Sequence, residues 1–101
     1  MAYAVSALNG SPFMEYWHNG RSADEMWNII QDADDEHDII TAGSNFCAGG
    51  DSSATEQGVA CSHAYTIITT YELEVPGSDT VRLLKVRNPW GEEQYAGPWS
   101  D

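Results

Sequence analysis

His63-Ala-Tyr-Thr-Ile-Ile-Thr-Thr-Tyr71 is the stretch whose reading decides the fold. It is dense in β-branched and aromatic residues, whose side chains suit a pleated, half-buried surface. Val75-Pro76-Gly77-Ser78-Asp79 follows with turn chemistry, and Thr80–Arg87 supplies a second arm that ends at Asn88-Pro89-Trp90-Gly91. Together these segments predict an antiparallel hairpin.

Working outward, residues 42–58 are rich in Gly, Ser and Ala and read as a loop with little buried surface. Asp38–Thr41 reads as a short strand through Ile39 and Ile40. The clearest helix signal lies further upstream. Ser22 with Glu25 is a capping box, and Met26, Ile29, Ile30 and Ala33 follow at helical spacing, so that face is expected to pack on a core. The helix, from about residue 22 to 34, is expected to fray in Asp32–Asp38, where five of seven positions are acidic. Ala2–Val5 is a short apolar stretch with helical character, closed by the turn signal Asn9-Gly10-Ser11-Pro12. The aromatic group Phe13, Tyr16 and Trp17 comes next, before a second break at Asn19-Gly20. The expected fold class is α+β, a helix packed on an antiparallel β-sheet.

The chain has 101 residues, the size of one small domain. Its 16 Asp and Glu against four Lys and Arg leave a net charge of -12, which argues against nucleic acid or an anionic membrane surface as partner. No stretch has the apolar length of a membrane span, and no secretory signal is visible. Two cysteines, Cys47 and Cys61, do not make a disulfide framework. They are expected to be free thiols in an intracellular, cytoplasmic protein.

The chemistry-bearing residues stand at the two ends of the hairpin. A cysteine protease needs a thiolate, a base to form it and a group that holds the base in the right tautomer. In the Cys-His-Asn arrangement an amide oxygen accepts one imidazole N–H and leaves the other ring nitrogen facing sulfur. His63 opens one arm and Asn88 closes the other. If paired residue numbers sum to about 151, the two face each other; a slip of two keeps them on one face and a slip of one separates them.

Three short words then occur in order. Ser62-His63-Ala64-Tyr65-Thr66 is followed by Val86-Arg87-Asn88-Pro89-Trp90-Gly91 and by Gly97-Pro98-Trp99-Ser100-Asp101. The series resembles the Gly-His-Ala-Tyr, Arg-Asn-Pro-Trp-Gly and Gly-x-Trp-Ser-Asp of calpain-type cysteine proteases, at similar intervals. Taken singly, each residue has an ordinary structural reading: a histidine at a strand start, an Asn-Pro turn, a core tryptophan. Their order favours the catalytic one.

The resemblance implies the His/Asn-bearing subdomain of a papain-like protease core. Residues 1–101 would be part of a calpain-like catalytic domain, its second subdomain, cut at both ends. His63 would be the general base, Asn88 its orienting partner, and Trp90 a cover over their hydrogen bond. The nucleophilic cysteine would lie on an upstream subdomain, so the isolated chain is expected to be inactive. Cys61, beside the position of the family's Gly-His pair, is expected to be structural and Cys47 incidental. Ser62 replaces the glycine that usually precedes the histidine, where close approach of backbone or substrate is allowed.

Calcium is implied for the parent enzyme, with none assured for this chain. Asp101 matches one carboxylate ligand, Gln94 falls where a glutamate is expected, and the remaining ligands would lie beyond residue 101. Asp32, Asp34, Glu36 and Asp38 mimic the alternating acids of an EF-hand loop. His37 stands at the required glycine and Gly43 at the closing glutamate, so a solvated acidic face is the better reading. The histidines and cysteines lack zinc spacing.

The expected function is therefore part of a calcium-dependent cysteine endopeptidase, a hydrolase acting on protein substrates. A non-catalytic calpain-like module that binds a partner through an acidic or aromatic surface is the alternative. An unrelated structural domain ranks last, since it makes the motif order a coincidence.

Overall fold

The structure, a computed structural model, describes residues 2–92 and 95–100. The chain forms helix α1 (Ala2–Asn9), helix α2 (Ala23–Asp35), strand β1 (Ile40–Gly43), a 3-10 turn at Gly50–Ser52, and strands β2 (Ala64–Leu73) and β3 (Val81–Arg87). The three strands make one antiparallel sheet in the order β1-β2-β3, against which α2 packs. The α+β class expected from the sequence is the one observed.

Helix α2 starts where its local chemistry requires. The Ser22 hydroxyl accepts from the Glu25 amide at 3.2 Å, and the Glu25 carboxylate accepts from the Ser22 amide at 2.7 Å. Two amides of the first turn are satisfied reciprocally. The acidic run does not fray the helix before Asp35; Glu36 closes it, and His37 turns the chain out with a left-handed φ of 61°. Strand β1 then begins at Ile40 rather than at Asp38. Ile39 stays exposed, and the pairing of Ile40 with Ile67 and Ala42 with Tyr65 fixes the strand two residues downstream of its expected start.

Met26, Ile29, Ile30 and Ala33 are half-buried, but the buried residue of α2 is Trp27. Its indole Nε1 donates to the Glu72 carboxylate at 3.1 Å, and the Arg82 guanidinium lies 5.4 Å from its ring centre. Arg82 also pairs with Asp24 and Glu72. The Asp24 hydrogen bond, more than any other contact, raises the Arg82 pKa above its ordinary value. At the other end of α2, one Asp34 carboxylate oxygen accepts from the Thr69 hydroxyl (2.8 Å), the Thr70 amide (2.7 Å) and the Thr70 hydroxyl (2.9 Å). The Thr70 amide bond is the main reason the Asp34 carboxyl is held below its ordinary pKa. The acidic run is therefore not a purely solvated face.

The loop between β1 and β2 is more ordered than its composition suggested. Ser53 O accepts from the Cys61 amide and Asn45 O from the Ser62 amide, while Ala54 and Ala60 form an isolated antiparallel bridge. Folding back brings the Cα atoms of Cys47 and Cys61 to 5.5 Å, within bridging range, and the two are joined by a disulfide. The expectation of two free thiols is thus overturned. Their separation of 14 residues carries no pairing signal; proximity arises only from the loop's backbone hydrogen bonds. No helix among the described residues is long and apolar enough to cross a membrane.

Candidate active site

His63 sits immediately before β2 and Asn88 immediately after β3, so both are carried on the ends of paired strands. Near them the ladder places Thr66 opposite Arg87 and Ile67 opposite Val86. This register is offset by two residues from one that puts His63 directly opposite Asn88, and a two-residue offset keeps both side chains on one face. His63 Nε2 lies 2.9 Å from Asn88 Oδ1. The same oxygen accepts from the Trp90 amide at 3.1 Å, and the Asn88 amide nitrogen donates to Glu92 O at 3.4 Å. The Trp90 and Glu92 contacts therefore agree on which way the amide points, with oxygen toward the imidazole.

An acceptor at Nε2 favours the tautomer with its proton there, and Nδ1 then carries the lone pair. The Trp90 ring is tilted over the imidazole at 4.1 Å between centroids, and the Tyr65 ring meets it edge-on at 4.9 Å. Imidazole orientation is thus restricted by one hydrogen bond and two aromatic rings.

The backbone of His63 is held separately. Its amide donates to Ser44 Oγ at 2.9 Å, and its carbonyl accepts from the Ser44 amide at 2.9 Å. Ser44 Oγ in turn donates to Ala60 O at 2.6 Å, and the Tyr65 hydroxyl accepts from the Ala60 amide at 2.9 Å. Ala60 and Cys61, just upstream, are among the most buried residues described, at 1% and 3% exposure. Ser44 and Tyr65 thus tie the entry to β2 from both sides. Sequence reading assigned neither of them a role. Tyr65 stood inside a recognised word, but Ser44 offered only a serine in a glycine-rich loop.

Ser62 has φ 48°, in the left-handed region that glycine enters at least cost. A glycine at this position would suit that backbone conformation. The same turn removes Cys61 from a regular strand with His63, and Cys61 is bonded to Cys47. Neither cysteine is a free thiol. Gln94 and Asp101, the suggested calcium ligands, lie outside the described residues. Among the described residues no group of three His, Cys, Asp or Glu side chains could hold a metal ion. The acids of the EF-hand-like run are spread along the end of α2 and the turn after it.

An open groove of about 1410 Å³ runs beside the sheet and takes in Ser44, Tyr65, Ile68, Leu84, Asn88 and Trp99. Ile68, Leu84 and Trp99 are exposed along it.

The family model for calpain family cysteine proteases matches residues 1–101. The catalytic subunit of Calpain-2 from Bos taurus is 33% identical over 87 residues, 84% of this chain and 12% of its own length. The Homo sapiens Calpain-2 catalytic subunit is 31% identical over 88 residues, again 12% of its length. Calpain-12 from Homo sapiens is 47% identical over 47 residues, which is 46% of this chain and 6% of that protein. The chain thus spans about one-eighth or less of the relatives it matches. With its whole length matched by the family and more than four-fifths of it aligned to Calpain-2, this chain belongs to the calpain family of cysteine proteases.

Proposed function

We propose that this chain is the His/Asn-bearing part of the catalytic core of a calpain-type cysteine endopeptidase, with His63 as general base and Asn88 as its orienting partner. The observation that carries the reading is the 2.9 Å approach of His63 Nε2 to Asn88 Oδ1, which leaves Nδ1 as the proton-accepting nitrogen. Trp90 covers one side of the pair and limits competition from water for that bond.

The family resemblance implies a nucleophile on an upstream cysteine-bearing subdomain, which fits the joining of both cysteines of this chain in a disulfide. His63 Nδ1 takes the thiol proton, producing a thiolate–imidazolium pair. The thiolate attacks the peptide carbonyl, and the imidazolium returns its proton to the leaving amine as the C–N bond breaks. Water, deprotonated by His63, then hydrolyses the thioester and restores the thiol. Asn88 keeps the ring from rotating through these proton transfers. The groove beside the sheet, with its exposed apolar side chains, is where the upstream subdomain and a protein substrate would lie.

The test is hydrolysis of an unstructured protein by the full-length parent, with and without millimolar calcium, since the family resemblance implies that ion for the parent. Activity is expected to fall by about 10²–10⁴ on His63→Ala, the range for loss of a general base. Unchanged turnover rejects the assignment. No cleavage by the folded, unmutated parent in either condition favours a non-catalytic interaction module.

A further inference from the structure

We propose that Asp34, far from the site in sequence, is a positioning residue that sets the register on which the His63–Asn88 pair depends. The β2–β3 ladder changes register once. Thr69 pairs with Lys85, Thr70 with Leu84 and Tyr71 with Leu83, whereas Ile67 pairs with Val86 and Thr66 with Arg87. Ile68 is the extra residue, a β-bulge on β2.

The bulge decides which face Asn88 shares. If Ile68 entered the ladder, the outer register would run on through the hairpin. Ile68 would face Val86, Ile67 would face Arg87, and Asn88 would come opposite Thr66. His63, three residues from Thr66, would then project from the other face of the sheet. With Ile68 looped out, Asn88 falls on the His63 face and the 2.9 Å contact forms.

A looped-out residue needs a reason to remain so, because entering the ladder adds pairing. Asp34 supplies it. Strand β1 reaches no further along β2 than the Ile40–Ile67 pair, so beyond Ile67 β2 has only β3 as a ladder neighbour. There the Thr69 hydroxyl and the Thr70 amide and hydroxyl all converge on one Asp34 oxygen. These are charge-assisted bonds to the two residues that follow the bulge. With Ile67 held by Ile40 of β1, entry of Ile68 into the ladder would carry Thr69 and Thr70 one position along the strand and break their geometry. Local preference does not account for an acid at Asp34, since a carboxylate in the last turn of a helix opposes the helix dipole and no basic residue offsets it there.

The proposal rests on the reading of His63 and Asn88 as a functional pair, but its test reads their hydrogen bond and not proteolysis. The chain has three histidines, so ¹⁵N-histidine labelling of the full chain, with His63→Gln for assignment, isolates the His63 Nε2 proton. Its protection from solvent exchange is expected to fall more than about tenfold in Asp34→Ala, the equivalent of roughly 1.4 kcal/mol of hydrogen bond. Deleting Ile68 in the Asp34→Ala background removes the competing register while leaving all other pairs in place, and is expected to restore protection to within about threefold. Glu72→Gln, which weakens the contact of α2 with the outer hairpin, is expected to leave it unchanged.

Retained protection in Asp34→Ala overturns the proposal. So does a loss that the Ile68 deletion fails to reverse, or one that Glu72→Gln reproduces, because Asp34 would then act only through general stability. If Asp34→Ala does not fold, Thr69→Val with Thr70→Val removes two of the three donors and carries the same comparison. An inactive parent enzyme would count against the proposed function and leave these outcomes as they stand.

Discussion

Cys47 and Cys61 are bonded across 14 residues of loop, and the second of them lies two residues before His63. The bridge therefore anchors the segment that feeds the histidine into β2. In the chain-entropy account, closing a loop of this size stabilises the folded state by about 3 kcal/mol. Cys47→Ser, or reduction, is expected to lower the denaturant midpoint correspondingly and to speed amide exchange at Ala60 and Cys61. An unchanged midpoint would mean that the bond adds nothing beyond the backbone hydrogen bonds around it.

Ser62 holds a left-handed φ between that disulfide and His63. The conformation costs a non-glycine residue about 1–2 kcal/mol, against about 0.5–1 kcal/mol of extra chain entropy lost by glycine. Ser62→Gly is expected to raise stability by about 0.5 kcal/mol, and Ser62→Val to lower it by more than about 1 kcal/mol, since a β-branched residue tolerates this region poorly. Urea unfolding of the three proteins checks the order; a valine variant as stable as the parent would refute it.

Trp27 is the anchor between α2 and the sheet, 7% exposed and hydrogen-bonded to Glu72. Trp27→Ala is expected to cost about 3–5 kcal/mol, from lost burial and an unfilled cavity. For a domain of this size that threatens folding outright. Trp27→Phe, which keeps most of the ring area, is the milder variant, and equal unfolding midpoints for Phe and Trp would show that the indole bond to Glu72 contributes nothing.

The Asp34 carboxyl has a folded pKa below its ordinary value, principally through the Thr70 amide. A depressed acid contributes stability that is fully present above its unfolded value, near 4, and is lost as pH falls through the lower folded value. The stability gap between the parent and Asp34→Asn is therefore expected to be constant from pH 7 to about 5 and to close below about 4. A gap independent of pH down to 2.5 would show that the charge of Asp34 is not what stabilises the contact.

Asn88 is expected to matter through geometry. Asn88→Ala leaves His63 in place, bracketed by Tyr65 and Trp90, but free of its acceptor. In the parent enzyme kcat is expected to fall by about tenfold or more with KM nearly unchanged, as for an interaction that acts only on the reacting groups. A change confined to KM would assign Asn88 to substrate binding instead.

Much of this was legible in the order of residues because it depends on neighbours in the chain. The capping box at Ser22 and Glu25, the β-rich arm from His63, the turn at Val75–Asp79 and the words around His63 and Asn88 are all short-range patterns. Hydrogen bonding over three residues and side-chain alternation over two express themselves wherever such sequences occur.

The remainder required the folded chain. Ile68 is indistinguishable from its neighbours until Asp34, 34 residues earlier, takes the Thr69 and Thr70 donors and leaves it outside the ladder. Cys47 finds Cys61, and Ser44 finds the backbone of His63, only after the loop has folded back on itself. By itself the sequence indicated which elements form and which residues are candidates for the chemistry. Tertiary structure decided the register that sets His63 beside Asn88, because a one-residue shift changes the face of a strand without changing any local preference.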